Sequence, residues 1–174
     1  MGIQGEMEDA LNRQINAELY SSYLYMSMAA YFTTKGLPGC AQWMHVQAQE
    51  EVSHAMKMYT YLQDRGGRVR LDGIKAPPIE WDSPVAAFEA ALDHERHVTS
   101  SIHGILELSQ NLKDHATSSF LQWFVDEQVE EEASAEDIVQ RFRTAGDAPG
   151  GIFMIDKELG ARQGLYTQQK GTEE

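Results

Sequence analysis

The chain has 174 residues, enough for one domain with a sizeable core. Its 27 Asp and Glu against 14 Lys and Arg give a formal net charge of -13, which argues against nucleic acid or an anionic membrane as partner and is compatible with cations as ligands. One cysteine, Cys40, excludes an internal disulfide and a Cys-x-x-Cys metal site.

The N-terminal MGIQGEMEDALNRQ lacks both the apolar core of a signal peptide and the Ser or Thr of a myristoylation signal. No run of about 18 apolar residues is present to span a membrane. These features predict a soluble cytoplasmic domain over residues 1–174.

Helix breakers then divide the chain. A first helix is predicted from about Glu6 to Thr34, stopped at Gly36, with Pro38 placed to open a second that runs to about Arg65. The Gly66-Gly67 pair ends the second by a left-handed cap. A non-helical stretch, RVRLDGIKAPPIEWD, follows. Ser83 and Pro84 read as N-cap and first residue of a third helix lasting to about Gln110. Asp114 can cap a fourth running to about Ala145, and an apolar piece at about 152–163 predicts a short fifth helix before a mobile tail at 164–174.

The fold class is therefore all-α, a four-helix bundle over about 6–145 plus the fifth helix. The short joints imply two antiparallel hairpins. The middle linker of about 17 residues can extend about 55 Å, whereas a 28-residue helix is about 42 Å long. That linker can cross the whole bundle, so the hairpins are predicted to be joined by a long crossover.

Each helix carries an apolar stripe at three-four spacing that a polar residue interrupts near its middle. On the first, Leu11, Ile15, Ser22, Met26 and Ala29 line up with Glu18, and Tyr25 follows seven residues on. On the second, Ala41, Met44, Ala48, Ala55, Met58 and Leu62 flank Glu51. Val85, Phe88, Leu92, Ile102 and Leu106 flank Glu95, and Leu121, Phe124, Ala135, Ile138 and Phe142 flank Gln128 and Glu131.

Glu18 and Glu51 are 33 residues apart, as are Glu95 and Gln128, and the two pairs are offset by 77. Both hairpins thus share one plan, a carboxylate and then a polar pair at i and i+3, which is Glu51 with His54 in one and Gln128 with Glu131 in the other. A single Glu on a mixed face is ordinarily a solvated charge. Six such residues at matched heights on four apolar stripes, four of them carboxylates with no Lys or Arg among them, would repel strongly without a cation. Carboxylate oxygens with one imidazole suit iron or manganese.

This pattern resembles the ferritins, most closely the non-haem ferritins of bacteria and archaea. ALNRQINAELYSSYLYMSMA, QAQEEVSHAMKMYTYLQDRGGRV and FLQWFVDEQVEEE all look like sequence of that family, so the likeness spans nearly the whole chain. The resemblance implies that Glu18, Glu51 and His54 hold a first iron and that Glu51 bridges to a second, held with Glu95 and Glu131. Gln128 would hydrogen-bond near the site or to bound oxygen. A third iron would sit against Glu50, Glu127, Glu130 and Glu131, for which a solvated acidic face is the alternative. Tyr25 resembles the tyrosine that such proteins use as electron donor. Trp123 is read first as a core aromatic and second as a helper beside the site.

Val52 stands where bacterioferritins place a haem-binding methionine, so no haem is expected. His45, His94, His97, His103 and His115 have no matched partners and are read as surface or subunit-contact residues. The function implied is iron storage and detoxification. Fe(II) would be oxidised by O2 or H2O2 at the paired site, and ferric mineral held in a shell of 24 identical subunits. Two alternatives stand beside it: a non-storing di-iron redox enzyme, and a metal-free bundle with a structural polar centre.

Overall fold

The computed structural model describes residues 2–164. The mobile tail expected at 164–174 falls, apart from Gly164, outside the described residues. Five helices follow in order: α1 (Gly5–Thr34), α2 (Pro38–Asp64), α3 (Pro84–Asn111), α4 (His115–Ala145) and α5 (Pro149–Leu159).

Three of the helix ends share one device. The residue in left-handed conformation is Gly36 after α1, Gly66 after α2 and Lys113 after α3. In each case the next amide donates back to a carbonyl in the last turn: Leu37 N to Phe32 O at 3.0 Å, Gly67 N to Leu62 O at 2.9 Å and Asp114 N to Ser109 O at 2.8 Å. This closure satisfies carbonyls that would otherwise be orphaned. At the helix starts, the Ser83 hydroxyl accepts from Ala86 N (3.1 Å) and the Asp114 carboxylate from Thr117 N (3.2 Å), as the sequence predicts.

The α2 start is capped differently. Leu37 offers no side-chain acceptor there, and Asp156 of α5 accepts from Cys40 N at 2.8 Å instead. Gly39 makes this approach feasible, because a Cβ there would lie 1.6 Å from the Asp156 carbonyl oxygen. Docking of α5 onto α2 also buries Cys40 and pushes its thiol pKa up. The fifth helix begins earlier and ends earlier than the sequence pattern predicts. Pro149 supplies its first turn, and Gly160 caps its end before the polar residues that follow.

Ser21–His94 and Gln14–Ser101 contacts place α1 antiparallel to α3, while Thr99–Glu132 and Arg143–Glu89 contacts do the same for α3 and α4. The crossover follows the length of α1. Asn12 clasps its start through Arg68 O (2.9 Å) and Arg70 N (2.7 Å), Ser27 donates to Pro78 O (2.6 Å), and Trp81 packs edge-on against Tyr31. Polar side chains of α1, buried Asn12 and half-buried Ser27, thus pair with loop backbone that has no ladder of its own.

Two apolar clusters fill the bundle. One contains Phe32, Met44, Phe88, Phe142 and Leu159, and the other Leu11, Ile15, Met58, Ile102 and Phe124. The polar residues lie between them. Met26 departs from the stripe predicted for α1, since it is exposed, whereas Tyr25 and Met28 are buried. Eight residues after Glu18, Met26 has turned about 80° away from it at 100° per residue.

Candidate metal centre

Glu18, Glu51, His54, Glu95, Gln128 and Glu131 are all buried between the two apolar clusters, as matched heights on four helices require. Among the described residues, two groups gather ligand atoms within 4.8 Å of one another: Glu18, Glu51 and His54, and His54, Glu127 and Glu131. His54 belongs to both. Its Nδ1 lies 3.4 Å from Glu51 Oε2 and its Nε2 3.9 Å from Glu127 Oε1. Edge contacts with Trp123 and Phe124 fix the ring between them.

Amide donors hold the carboxylates. Gln14 Nε2 donates to Glu18 Oε1 at 2.9 Å, and Gln47 Nε2 to Glu131 Oε2 at 2.5 Å and Glu51 Oε1 at 3.4 Å. Glu95 is held twice, by the Tyr25 hydroxyl at Oε1 and by Gln128 Nε2 at Oε2 (3.1 Å). Gln128 also reaches Thr99, whose hydroxyl donates to Glu132 at 2.5 Å. These donors leave Glu95 outside both gathered groups.

The donors do not cover the acceptors. Glu18 Oε2 is buried with no hydrogen-bond partner. No Lys or Arg among the described residues pairs with Glu18, Glu51, Glu95 or Glu131. Burial, then the charge of Glu51, raises the Glu18 pKa well above the usual carboxylate range. Burial, then Glu95 and Glu131, does the same for Glu51, and burial raises Glu95 against the opposing bond from Tyr25. Glu131 is pushed up to about 7, by burial first and Glu95 second. Tyr25 is raised too, by burial and then Glu95. An orphaned carboxylate oxygen beside acids held toward their protonated form is the chemistry of a cation site that protons fill in the absence of metal.

The residues carried over for a third iron are less gathered. Glu127 is partly buried beside His54, Glu130 is exposed, and Glu50 is partly buried with its Oε2 bound 2.5 Å from Arg162 Nη2. Trp123 is 37% exposed, with Lys57 Nζ 3.5 Å from its ring centroid, and so is not the core aromatic first expected. His94 also departs from the surface reading. It is partly buried, its Nε2 lies 2.7 Å from Ser21 Oγ, and its ring meets Tyr20 and Tyr25 edge-on. Burial, then His97, lowers its pKa to about 4. His45, His97, His103 and His115 are exposed.

Sequence reasoning passed over Gln14 and Gln47. Both stand four residues before a candidate ligand and are themselves 33 residues apart, so the spacing that flags Glu18 and Glu51 could have found them.

The family model of the ferritin-like domain matches residues 8–145. The chain belongs to the ferritin family. It is 46% identical over 160 residues to a bacterial non-heme ferritin of Bacteroides fragilis, covering 92% of this chain and 99% of that one. A bacterial non-heme ferritin of Staphylococcus epidermidis is 43% identical over 157 residues, with coverages of 90% and 95%. Among solved structures, an open-pore ferritin of the hyperthermophilic archaeon Archaeoglobus fulgidus matches with a TM-score of 0.93 at 55% identity, over 93% of this chain and 100% of that one. A form of the A. fulgidus ferritin engineered to be closed matches equally, with a TM-score of 0.93 at 55% identity over 94% and 99%. Ferritin membership and a carboxylate-imidazole site together support iron storage. Among the described residues no helix is long and apolar enough to cross a membrane.

Proposed function

We propose that this chain is an iron-storing ferroxidase that oxidises Fe(II) inside the bundle and deposits ferric mineral within a shell of 24 subunits. The observation that carries this reading is the buried four-carboxylate cluster with no Lys or Arg partner among the described residues, in which Glu18 Oε2 receives no hydrogen bond from a neighbouring amide or hydroxyl. Fe(II) is the substrate. One ion is held by Glu18, Glu51 and His54, and a second by Glu51, Glu95 and Glu131, with Glu51 shared.

Four carboxylates balance the charge of two divalent ions, so entering iron displaces the protons that burial retains on these acids. Each Fe(II) gives up one electron. Two ions therefore match the reduction of O2 with two protons to H2O2, or of H2O2 with two protons to two waters. Oxidation adds two positive charges that the carboxylates no longer balance. Water-derived hydroxide or oxide must then accompany Fe(III), which favours departure of a hydrolysed ferric product toward mineral. Hard oxygen ligands favour Fe(III) over Fe(II) and so favour the oxidation itself. Tyr25, which donates a hydrogen bond to Glu95 in the metal-free site, is the residue beside the second ion that the family resemblance marks as an electron donor. A third ion against Glu50, Glu127, Glu130 and Glu131 would be a stage between centre and store.

The test is aerobic iron loading of metal-free protein, with iron counted in the fraction that elutes as assembled particle. Soluble uptake of tens of irons per chain or more is expected. Uptake that stops at two or three per chain would replace storage with a non-storing di-iron redox enzyme.

A further inference from the structure

The segment after α5 sends one cation toward the centre. Arg162 Nη2 lies 2.5 Å from Glu50 Oε2, and its Nη1 donates to Gln47 Oε1 at 2.9 Å. The guanidinium carbon lies 4.6 Å from the centroid of the Trp43 ring, and the Arg162 carbonyl accepts from Gln42 Nε2 at 3.3 Å. Side chain and backbone of this residue are thus both seated on α2. Gln47, gripped at its oxygen by Arg162, uses its nitrogen to hold Glu51 and Glu131. Among the acids read as third-iron ligands, Glu127 and Glu131 join a gathered group with His54, whereas Glu50 and the exposed Glu130 do not. Arg162 binds one of the two Glu50 oxygens, Oε2.

We propose that Arg162 is an internal competitor for the third cation, taking the Glu50 carboxylate until an arriving metal ion displaces it. This rests on the two-iron reading above and deepens it. A fixed positive charge at hydrogen-bond distance from a ligand opposes a divalent cation on the same carboxylate, most strongly where water is partly excluded. Both partners here are about three-quarters buried, with side-chain exposures of 26% each. Occupancy of the third site is thereby made weak and reversible, as a transfer stage between centre and mineral requires, and it is tied to the position of the segment that follows α5.

The test is anaerobic calorimetric titration of the intact metal-free assembly with Zn(II), a redox-inert probe. Four proteins are compared: wild type, Arg162→Gln, Arg162→Lys and Glu50→Gln, each confirmed as folded by its thermal transition. The third step is the one that Glu50→Gln removes. Arg162→Gln is expected to tighten it by about tenfold while changing the first two steps less, and Arg162→Lys, which keeps the charge, to stay closer to wild type. A third step seen in Arg162→Gln and not in wild type supports the proposal equally. A third step that is unchanged or weaker in Arg162→Gln, equal in the Lys and Gln variants, or absent from all four overturns it. Loss of the first two steps from wild type would overturn the two-iron reading itself.

Discussion

The hairpin α1–α2 and the hairpin α3–α4 are built on one plan, yet their halves of the centre are held differently. At the 77-residue offset Glu18 matches Glu95, Glu51 matches Gln128, His54 matches Glu131, and Gly36 in the first turn matches Lys113 in the second. In the first hairpin three ligands gather, and Gln14 and Gln47, each one turn before its carboxylate, orient them. In the second, the matching positions are Ala91 and Phe124, which donate nothing from their side chains. Glu95 is instead bound by Tyr25 and Gln128, and Glu131 by Gln47. The first hairpin therefore already gathers Glu18, Glu51 and His54 within 4.8 Å, while Glu95 of the second is tied to Tyr25 and Gln128 away from them. Under the proposed reading, a repeated backbone plan with unequal donors predicts an order of filling, first ion before second.

Removing the shared ligand should break the comparison most severely. Glu51→Gln is expected to slow the fast phase of Fe(II) oxidation on the order of a hundredfold or more, followed by stopped-flow absorbance. The same change should raise the melting temperature of metal-free protein by a few degrees, because it removes a carboxylate whose charge is penalised by burial, Glu95 and Glu131. An unaltered oxidation rate would remove Glu51 from the bridging role. His54→Ala comes next. It should weaken the first anaerobic Fe(II) binding step by roughly ten- to a hundredfold, which calorimetry reads, and abolish the order of filling. A loss confined to the second step would reverse the assignment of the gathered site.

The pH dependence sharpens the comparison within the second hairpin. Glu131 titrates at about 7 in the fold, above the ordinary carboxylate value of 4.5, so between these values the native state binds more protons than the unfolded one. Stability of metal-free protein should therefore fall as pH rises through this window, by up to about 3 kcal/mol from this group. Metal affinity should do the opposite, weakening by up to about tenfold per pH unit as pH falls below 7. Denaturant titrations and Zn(II) calorimetry at pH 5, 6, 7 and 8 check both signs. The smallest effect concerns the turns. Lys113 sits at φ 56 where Gly36 occupies the matching place, so Lys113→Gly should stabilise by roughly 0.5–1 kcal/mol in urea unfolding.

The helices and their joints were legible because Gly36, Pro38, Gly66, Ser83, Pro84 and Asp114 each carry a backbone preference that acts locally. The α2 cap was not, because its acceptor, Asp156, comes from 116 residues away. Periodicity likewise brought the six polar residues to one level, since helical spacing and hairpin symmetry fix height without knowledge of contacts. It could not tell that Glu95 is tied to Tyr25 or that Arg162 holds Glu50, because those pairings depend on which helices become neighbours. The contacts of His94 were missed for the same reason. It adjoins Glu95 on α3, and burial follows from α1 packing over it through Ser21 and Tyr25.

Anomalous diffraction at the iron edge shows whether two Fe(II) ions bind within one bundle, and in that order. Crystals of metal-free protein would be loaded anaerobically with Fe(II) at rising concentration. The account predicts a first peak against Glu18, Glu51 and His54, then a second against Glu51, Glu95 and Glu131, with the Tyr25 hydroxyl released from Glu95 as the second fills. Iron confined to the surface acids, or a second-site peak that precedes the first, would contradict it.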